Sequence, residues 1–264
     1  MSPVAYWPLG DPTGPAASEA THNAGSLAGV YGGTFSLGIP TFEFGGSTGL
    51  FVNTGGYVRC PIPFNGVNTY TVGCYASLSS FQQGAWQWLP AIGDMARTRG
   101  GAMYQIANYG KWLTILANGN TNTQGTGTGE NSTLAGNIWN WFEWYWDNTG
   151  HTVGTVVSNP SVYSNTSPWP PLWPVAGDFV YCQPNFMAVM AHLVIWNRLL
   201  TTTEHNILLG HLPTWQYGPP LDYVPLSGGG STSLSPTDPV VVDINADLSN
   251  IYSAVHHVYT NPPS

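Results

Sequence analysis

NTYTVGCYASL, residues 68–78, sets Tyr70, Val72, Cys74, Ala76 and Leu78 on one side of an extended chain and Thr71, Gly73, Tyr75 and Ser77 on the other. A period of two sustained over this stretch predicts a β-strand with one apolar face. Working outward, VAYWPL at 4–9, PTFEFGG at 40–46 and GLFVNTGGYVRCPI at 49–62 read as strands broken by Pro and Gly turns. On the other side come GAWQWLPAIG at 84–93, GAMYQIAN at 101–108 and KWLTILANG at 111–119. NIWNWFEWYWDNTGHTVGTVV, 137–157, predicts a long hairpin turning at Asn148-Thr149-Gly150. GDFVYC at 177–182 and MAVMAHLVIWNRLL at 187–200 complete the β pattern. Thr201 and Glu204 have capping-box spacing and Gly210 is a natural stop, so 201–210 predicts one short helix. Many short strands and a single helix predict an antiparallel sandwich, with a barrel as its rival.

Composition narrows the partners. Only 7% of the residues are charged, against roughly 25% in an ordinary soluble domain. Five Lys and Arg in the whole chain are too few to face a phosphate backbone, which excludes nucleic acid as the expected partner. The opening MSPVAYWPLG lacks the basic and long apolar regions of a secretory signal, and no stretch approaches the ~20 apolar residues of a membrane-spanning helix. Cys60, Cys74 and Cys182 show no zinc-type spacing; they read as buried thiols, or as one disulfide with a spare. Residues 118–131, NGNTNTQGTGTGEN, read as a solvent-exposed loop.

Beyond Pro213 the texture changes. Six prolines between 213 and 239 predict an extended strap. Trp215, Tyr217, Leu221, Tyr223 and Leu226 give it apolar anchors. A second anchor follows, with VVVDI at 240–244 and a helical stripe that includes Ile251, Tyr252 and Val255. Ordering such a segment costs roughly 1–2 kcal/mol per residue, so these side chains are expected to dock on a partner surface as an assembly element, the alternative being that they fold back onto their own sandwich.

The order of these motifs resembles the laminin-G-like, concanavalin A-like lectin–glucanase jelly-roll family, of the kind found in bacteriophage virion proteins. VAYWPLG and GGTFSLG resemble its opening. TYTVGCYASL is similar to a family strand, with Tyr75 standing where a Trp is usual. IWNWFEWYWDNTG, 138–150, is similar to its strand-turn, with Trp141 in place of a His. AHLVIWNRLLTTTEHNILLG, 191–210, is similar to its close, with Asn197, Arg198, Leu200 and Glu204 on matching positions. The resemblance covers roughly 4–212 and implies an all-β, concanavalin-like antiparallel β-sandwich with one short helix. Residues 1–212 are then the sandwich and 213–264 an extended C-terminal tail. Some family members bind calcium through loop acids, which makes Asp11, Asp94, Asp147 and Asp178 candidate ligands; no other cofactor is implied. The family spans sugar-binding, adhesion, toxin and virion proteins, so fold leaves function open.

Chemistry is sparse. Glycoside hydrolysis needs two carboxyl groups about 5–9.5 Å apart. Glu143 and Asp147 share a strand face but stand four residues apart, roughly 13 Å at strand rise. No zinc-protease, P-loop or dinucleotide motif is present. Aromatic residues are the better candidates. Parity puts Trp139 and Trp141 on one face of their strand and Trp144 and Trp146 on the other, with one pair expected in the core. Trp144, Trp146, Trp169 and Trp173 are the ligand or interface candidates. The expected function is a non-enzymatic virion protein, a bacteriophage tail, baseplate or capsid-decorating subunit made in the host cytoplasm. It would homo-oligomerise with other virion subunits and touch host glycans. The alternative is a secreted or surface-attached carbohydrate-binding module. A glycan-cleavage assay should show no turnover; turnover abolished by Glu143→Ala or Asp147→Ala would overturn the non-enzymatic reading.

Overall fold

The computed structural model of the chain describes residues 2–212 apart from 15, 19–26, 42–46, 65–68, 79–87, 95, 97, 107–110, 117–123, 132–137, 150–151, 158–162, 167–173 and 185–186. The chain divides into units 1–223 and 224–264, and every described residue lies in the first. The expected strap, with its boundary at 212/213, falls outside the described residues.

The strands are β1 (Ala5–Trp7), β2 (Ala16–Ala17), β3 (Gly29–Gly32), β4 (Phe35–Pro40), β5 (Thr48–Val52), β6 (Tyr57–Pro61), β7 (Thr69–Leu78) and β8 (Trp88–Gly93). They continue as β9 (Gly100–Ile106), β10 (Lys111–Leu116), β11 (Gln124–Asn131), β12 (Trp139–Asp147), β13 (Thr152–Val157), β14 (Tyr163–Thr166), β15 (Phe179–Gln183) and β16 (Ala188–Trp196). One helix, α1 (Thr202–Gly210), follows. Two antiparallel sheets form a concanavalin-like sandwich. One runs β14-β13-β12-β7-β16-β5-β4, with β1 also on β16, and the other β11-β10-β9-β8-β15-β6-β3-β2.

Between the sheets, Tyr70, Val72, Cys74, Ala76 and Leu78 of β7 enter the main core, as their alternation predicts. β12 pairs with β7 in a register that sets Phe142 opposite Cys74, Trp144 opposite Val72 and Trp146 opposite Tyr70. Partners in a ladder share a face, so Phe142, Trp144 and Trp146 enter the core with them. This corrects the assignment of Trp144 and Trp146 as ligand or interface residues. Both are fully buried, and Trp144 donates its indole N–H to the Pro90 carbonyl at 3.0 Å and meets Tyr70 edge-on. The outward pair is Trp139 and Trp141, and it too is buried, in a second cluster with Tyr75, Trp196 and Leu200 against which Leu208, Leu209 and Leu212 pack.

Two further expectations change. Residues 124–131 of the polar stretch form β11, which pairs with β10 at the end of its sheet, because Gly and Thr can still supply a backbone ladder. Helix α1 begins with the expected capping box, but Gly210 is its last residue and His211 caps it in an ordinary right-handed conformation. Replacing Trp144 by Ala should cost about 3–5 kcal/mol in denaturant unfolding, whereas Trp144→Phe keeps most of the volume, strands only the Pro90 carbonyl, and should cost less.

Candidate functional site

Helix α1 is fastened to the outer face of the β7 sheet by polar anchors. Thr71 donates its hydroxyl to the Arg198 carbonyl at 2.8 Å, and the Tyr75 hydroxyl donates to the Leu208 carbonyl at 2.6 Å. Glu143, fully buried, accepts the Trp141 indole N–H at 2.8 Å, and His205 Nδ1 lies 3.2 Å from both its carboxylate oxygens. Glu143 is therefore the buried counter-charge of a helix anchor. Asp147 sits at the hairpin end, accepting the Thr149 amide N–H. Gly73 pairs with Glu143 in the ladder, and a Cβ there would stand 2.2 Å from the Trp141 ring, so only glycine lets the indole lie across β7. At the helix start, the Arg198 guanidinium and the Thr201 amide hold the Glu204 carboxyl down to about 2.

Between this helix and the sheet lies a cavity of about 280 Å³ lined by Tyr6, Tyr75, Trp141, His192, Val194, Ile207, Leu208 and His211. Its volume falls just below the range for drug-sized ligand pockets, about 300–1,000 Å³. Its geometry comes from a break in β16. The ladder to β7 shifts register between Ala191 and Val194, and within the break His192 has φ +56°. That is the left-handed region, uncommon for a residue with a Cβ and frequent where a site holds strain. The His192 amide donates to the Pro8 carbonyl at 3.1 Å, which ties β1 to the bulge. A bulge re-aims a side chain. Here the His192 ring stacks on Tyr6 at 5.7 Å, with its Nδ1 2.5 Å from the Tyr6 hydroxyl oxygen. Tyr75 meets that imidazole edge-on and the Trp141 ring at 4.6 Å. Ile207, 56% exposed, and the exposed His211 form the rim on the helix side. Apolar ring faces beside imidazole and phenol groups suit a ligand that is apolar on its faces and hydroxylated at its edges.

The calcium candidates do not converge. Asp11 accepts from the Tyr31 hydroxyl at 2.6 Å and from the Ser18 amide. Asp94 and Asp178 approach each other only across Arg99: Asp94 accepts the Thr98 and Arg99 amides, and the guanidinium binds Asp178 at 2.6 Å and 3.0 Å. Burial works to raise the Asp94 carboxyl, but the Thr98 and Arg99 hydrogen bonds outweigh it and hold it below its usual value. A guanidinium stands where a divalent ion would have to be, and calcium wants six to eight oxygens, so these acids do not fit calcium. Among the described residues no group of three or more His, Cys, Asp or Glu could hold a metal ion. Trp169 and Trp173 lie outside the described residues. A string Gly45-Gly46-Ser47-Thr48-Gly49 matches G-x-S-x-G, but it leads into strand β5 rather than from a strand into a helix, so Ser47 is not a nucleophile elbow.

No family model and no curated protein matches this chain. Solved structures do, at TM-scores near 0.6. A structure of botulinum neurotoxin type C, whose cell entry is described as dependent upon interaction with two ganglioside molecules, matches with TM-score 0.61 and 10% identity over 80% of this chain and 51% of its own. The binding domain of botulinum neurotoxin DC, in complexes with SialylT and with rat synaptotagmin II, matches with TM-score 0.61 and 12% identity over 81% of this chain and 52% of its own. The chain thus spans about half the length of these structures, and the likeness is one of fold. It corrects the virion reading: the similar structures are toxin binding domains, so resemblance to bacteriophage virion proteins, assembly with other virion subunits as a homo-oligomer, and placement in a virion all fall. The physical reason is that a shared sandwich constrains the core, while partners are chosen by surface residues that vary independently. Three of the similar structures are described as binding domains.

The His205 anchor generates a pH dependence. Burial works to lower its pKa, but the hydrogen bond and charge of Glu143, with Glu204 nearby, outweigh this and raise it. A raised folded pKa contributes stability that is complete below the unfolded value, about 6.5, and is lost as pH rises through the folded value. Thermal melts between about pH 5 and pH 9 should fall across that window. Glu143→Gln, which keeps an acceptor for Trp141, should remove the dependence.

Proposed function

We propose that the chain is a non-enzymatic glycan-binding module of a secreted or surface-attached protein, and that the pocket beneath α1 holds the sugar. The observation that carries this reading is the aromatic–imidazole pocket built around the β16 bulge. A pyranose ring has an apolar C–H face that packs on an aromatic ring and an equatorial rim of hydroxyls that bond to imidazole and phenol groups. The cavity is the size for one terminal sugar. Among the described residues no Lys or Arg lines it, so a neutral sugar suits it better than an acidic one. The like-folded toxin domains described with ganglioside and with SialylT support the class of ligand. Within this reading, the glycan-binding unit is 1–212.

A glycan array followed by calorimetry on the full chain tests the reading. Ile207→Arg and His211→Ala alter the rim without touching the core, and each should weaken binding about tenfold, the worth of roughly 1.4 kcal/mol. Trp144→Phe should leave affinity unchanged. An array with no bound glycan, or binding indifferent to both rim substitutions, would count against the pocket. A chain ended at Leu212 should retain both fold and binding.

A further inference from the structure

Three thiols lie between the sheets, and geometry separates them. Cys74 stands in β7 of one sheet, Cys182 in β15 and Cys60 in β6 of the other, and all three are free and buried. The sulfurs of Cys74 and Cys182 face each other across the core at 3.9 Å. Cys60 and Cys182 lie on adjacent strands of one sheet, where Cys60 pairs with Val180 and Cys182 with Val58. They are thus diagonal neighbours, about 7–8 Å apart in an antiparallel ladder and unsuited to a bridge. We propose that Cys74 and Cys182 form a disulfide joining the two sheets when the chain folds in the presence of a disulfide oxidant, and that Cys60 stays a thiol.

The distance to close is short: from 3.9 Å to the bond length of about 2.05 Å. The oxidation proceeds by exchange. The thiolate of one cysteine attacks a sulfur of oxidised glutathione, forming a mixed disulfide and releasing one glutathione thiolate. The second cysteine, giving up its proton, attacks the protein sulfur of that mixed disulfide and releases the other. Two protein thiols are oxidised, one glutathione disulfide is reduced to two thiols, and the protons pass to the glutathione sulfurs. In the closed sandwich, burial pushes the Cys182 thiol up, with Cys74 and Cys60 adding to the effect. A protonated, buried thiol exchanges slowly, so the bridge forms as the two sheets come together, while glutathione still reaches the sulfurs. Once closed, the same burial shields it from reductant. The pairing is independent of what the outer pocket binds.

The full chain, refolded from denaturant in a mixture of reduced and oxidised glutathione and isolated as folded monomer, tests this. A preparation secreted into an oxidising compartment serves as the second sample. Intact mass should show the loss of two hydrogens, peptide mapping should join Cys74 to Cys182, and one thiol, Cys60, should be alkylated after unfolding. Cys60→Ser should keep the link, and Cys74→Ala or Cys182→Ala should abolish it. The oxidised chain should melt on the order of 10 °C above the reduced one, because the bridge closes a long loop of the unfolded chain. Three alkylatable thiols in both samples, a link through Cys60, or only intermolecular bridges would overturn the inference.

Discussion

The register of β12 on β7 is the constraint on which the molecule depends. Setting Phe142 against Cys74 sends Trp144 and Trp146 inward and Trp139 and Trp141 outward. A slip of one residue would exchange the two pairs. It would also move Glu143 from beneath the helix into the apolar core, where a carboxylate without a partner is costly. Core and helix seat therefore enforce the same register from opposite faces. That leaves the central strands buried on both sides, an arrangement more usual in sheets covered by helices.

The second constraint is local. β16 serves two neighbours along one edge, β5 through Ala188–Met190 and β1 through Leu193–Ile195. The bulge at His192 lies between these segments, where one partner strand hands over to the other. A break in pairing needed by topology thereby delivers an imidazole to the surface cavity. Strain in the His192 backbone is held by the Pro8 carbonyl and by stacking on Tyr6, both supplied by the β1 end of the chain.

Toxin binding domains and this chain share a sandwich at 10–12% identity. That little identity suffices for a common fold because packing asks only for apolar residues of suitable volume at alternating positions. Recognition asks for particular groups at particular places. Likeness of fold thus corrected the expectation of a virion subunit, while the case for a glycan rests on the pocket itself.

Much of the architecture was legible in residue order. The alternation at 70–78, the turn that follows Asp147 and the capping box at Thr201 and Glu204 each report local geometry, which neighbours in sequence suffice to set. The separation of the four tryptophans into two pairs was legible for the same reason, since strand parity is a local property. Which pair faces inward was not, because that depends on the partner strand and its register. The pocket was less legible still. Tyr6, Tyr75, Trp141, His192 and His211 come from β1, β7, β12, β16 and the end of α1. Their meeting rests on a bulge that shifts parity within a strand that otherwise reads as regular. Over the described residues, the sequence by itself determined an all-β fold with one capped helix, because backbone preference and hydrophobic period act over a few residues. Only the tertiary structure decided the outward tryptophans, the aim of His192 and which two of three cysteines face each other, because each depends on contacts between residues far apart along the chain.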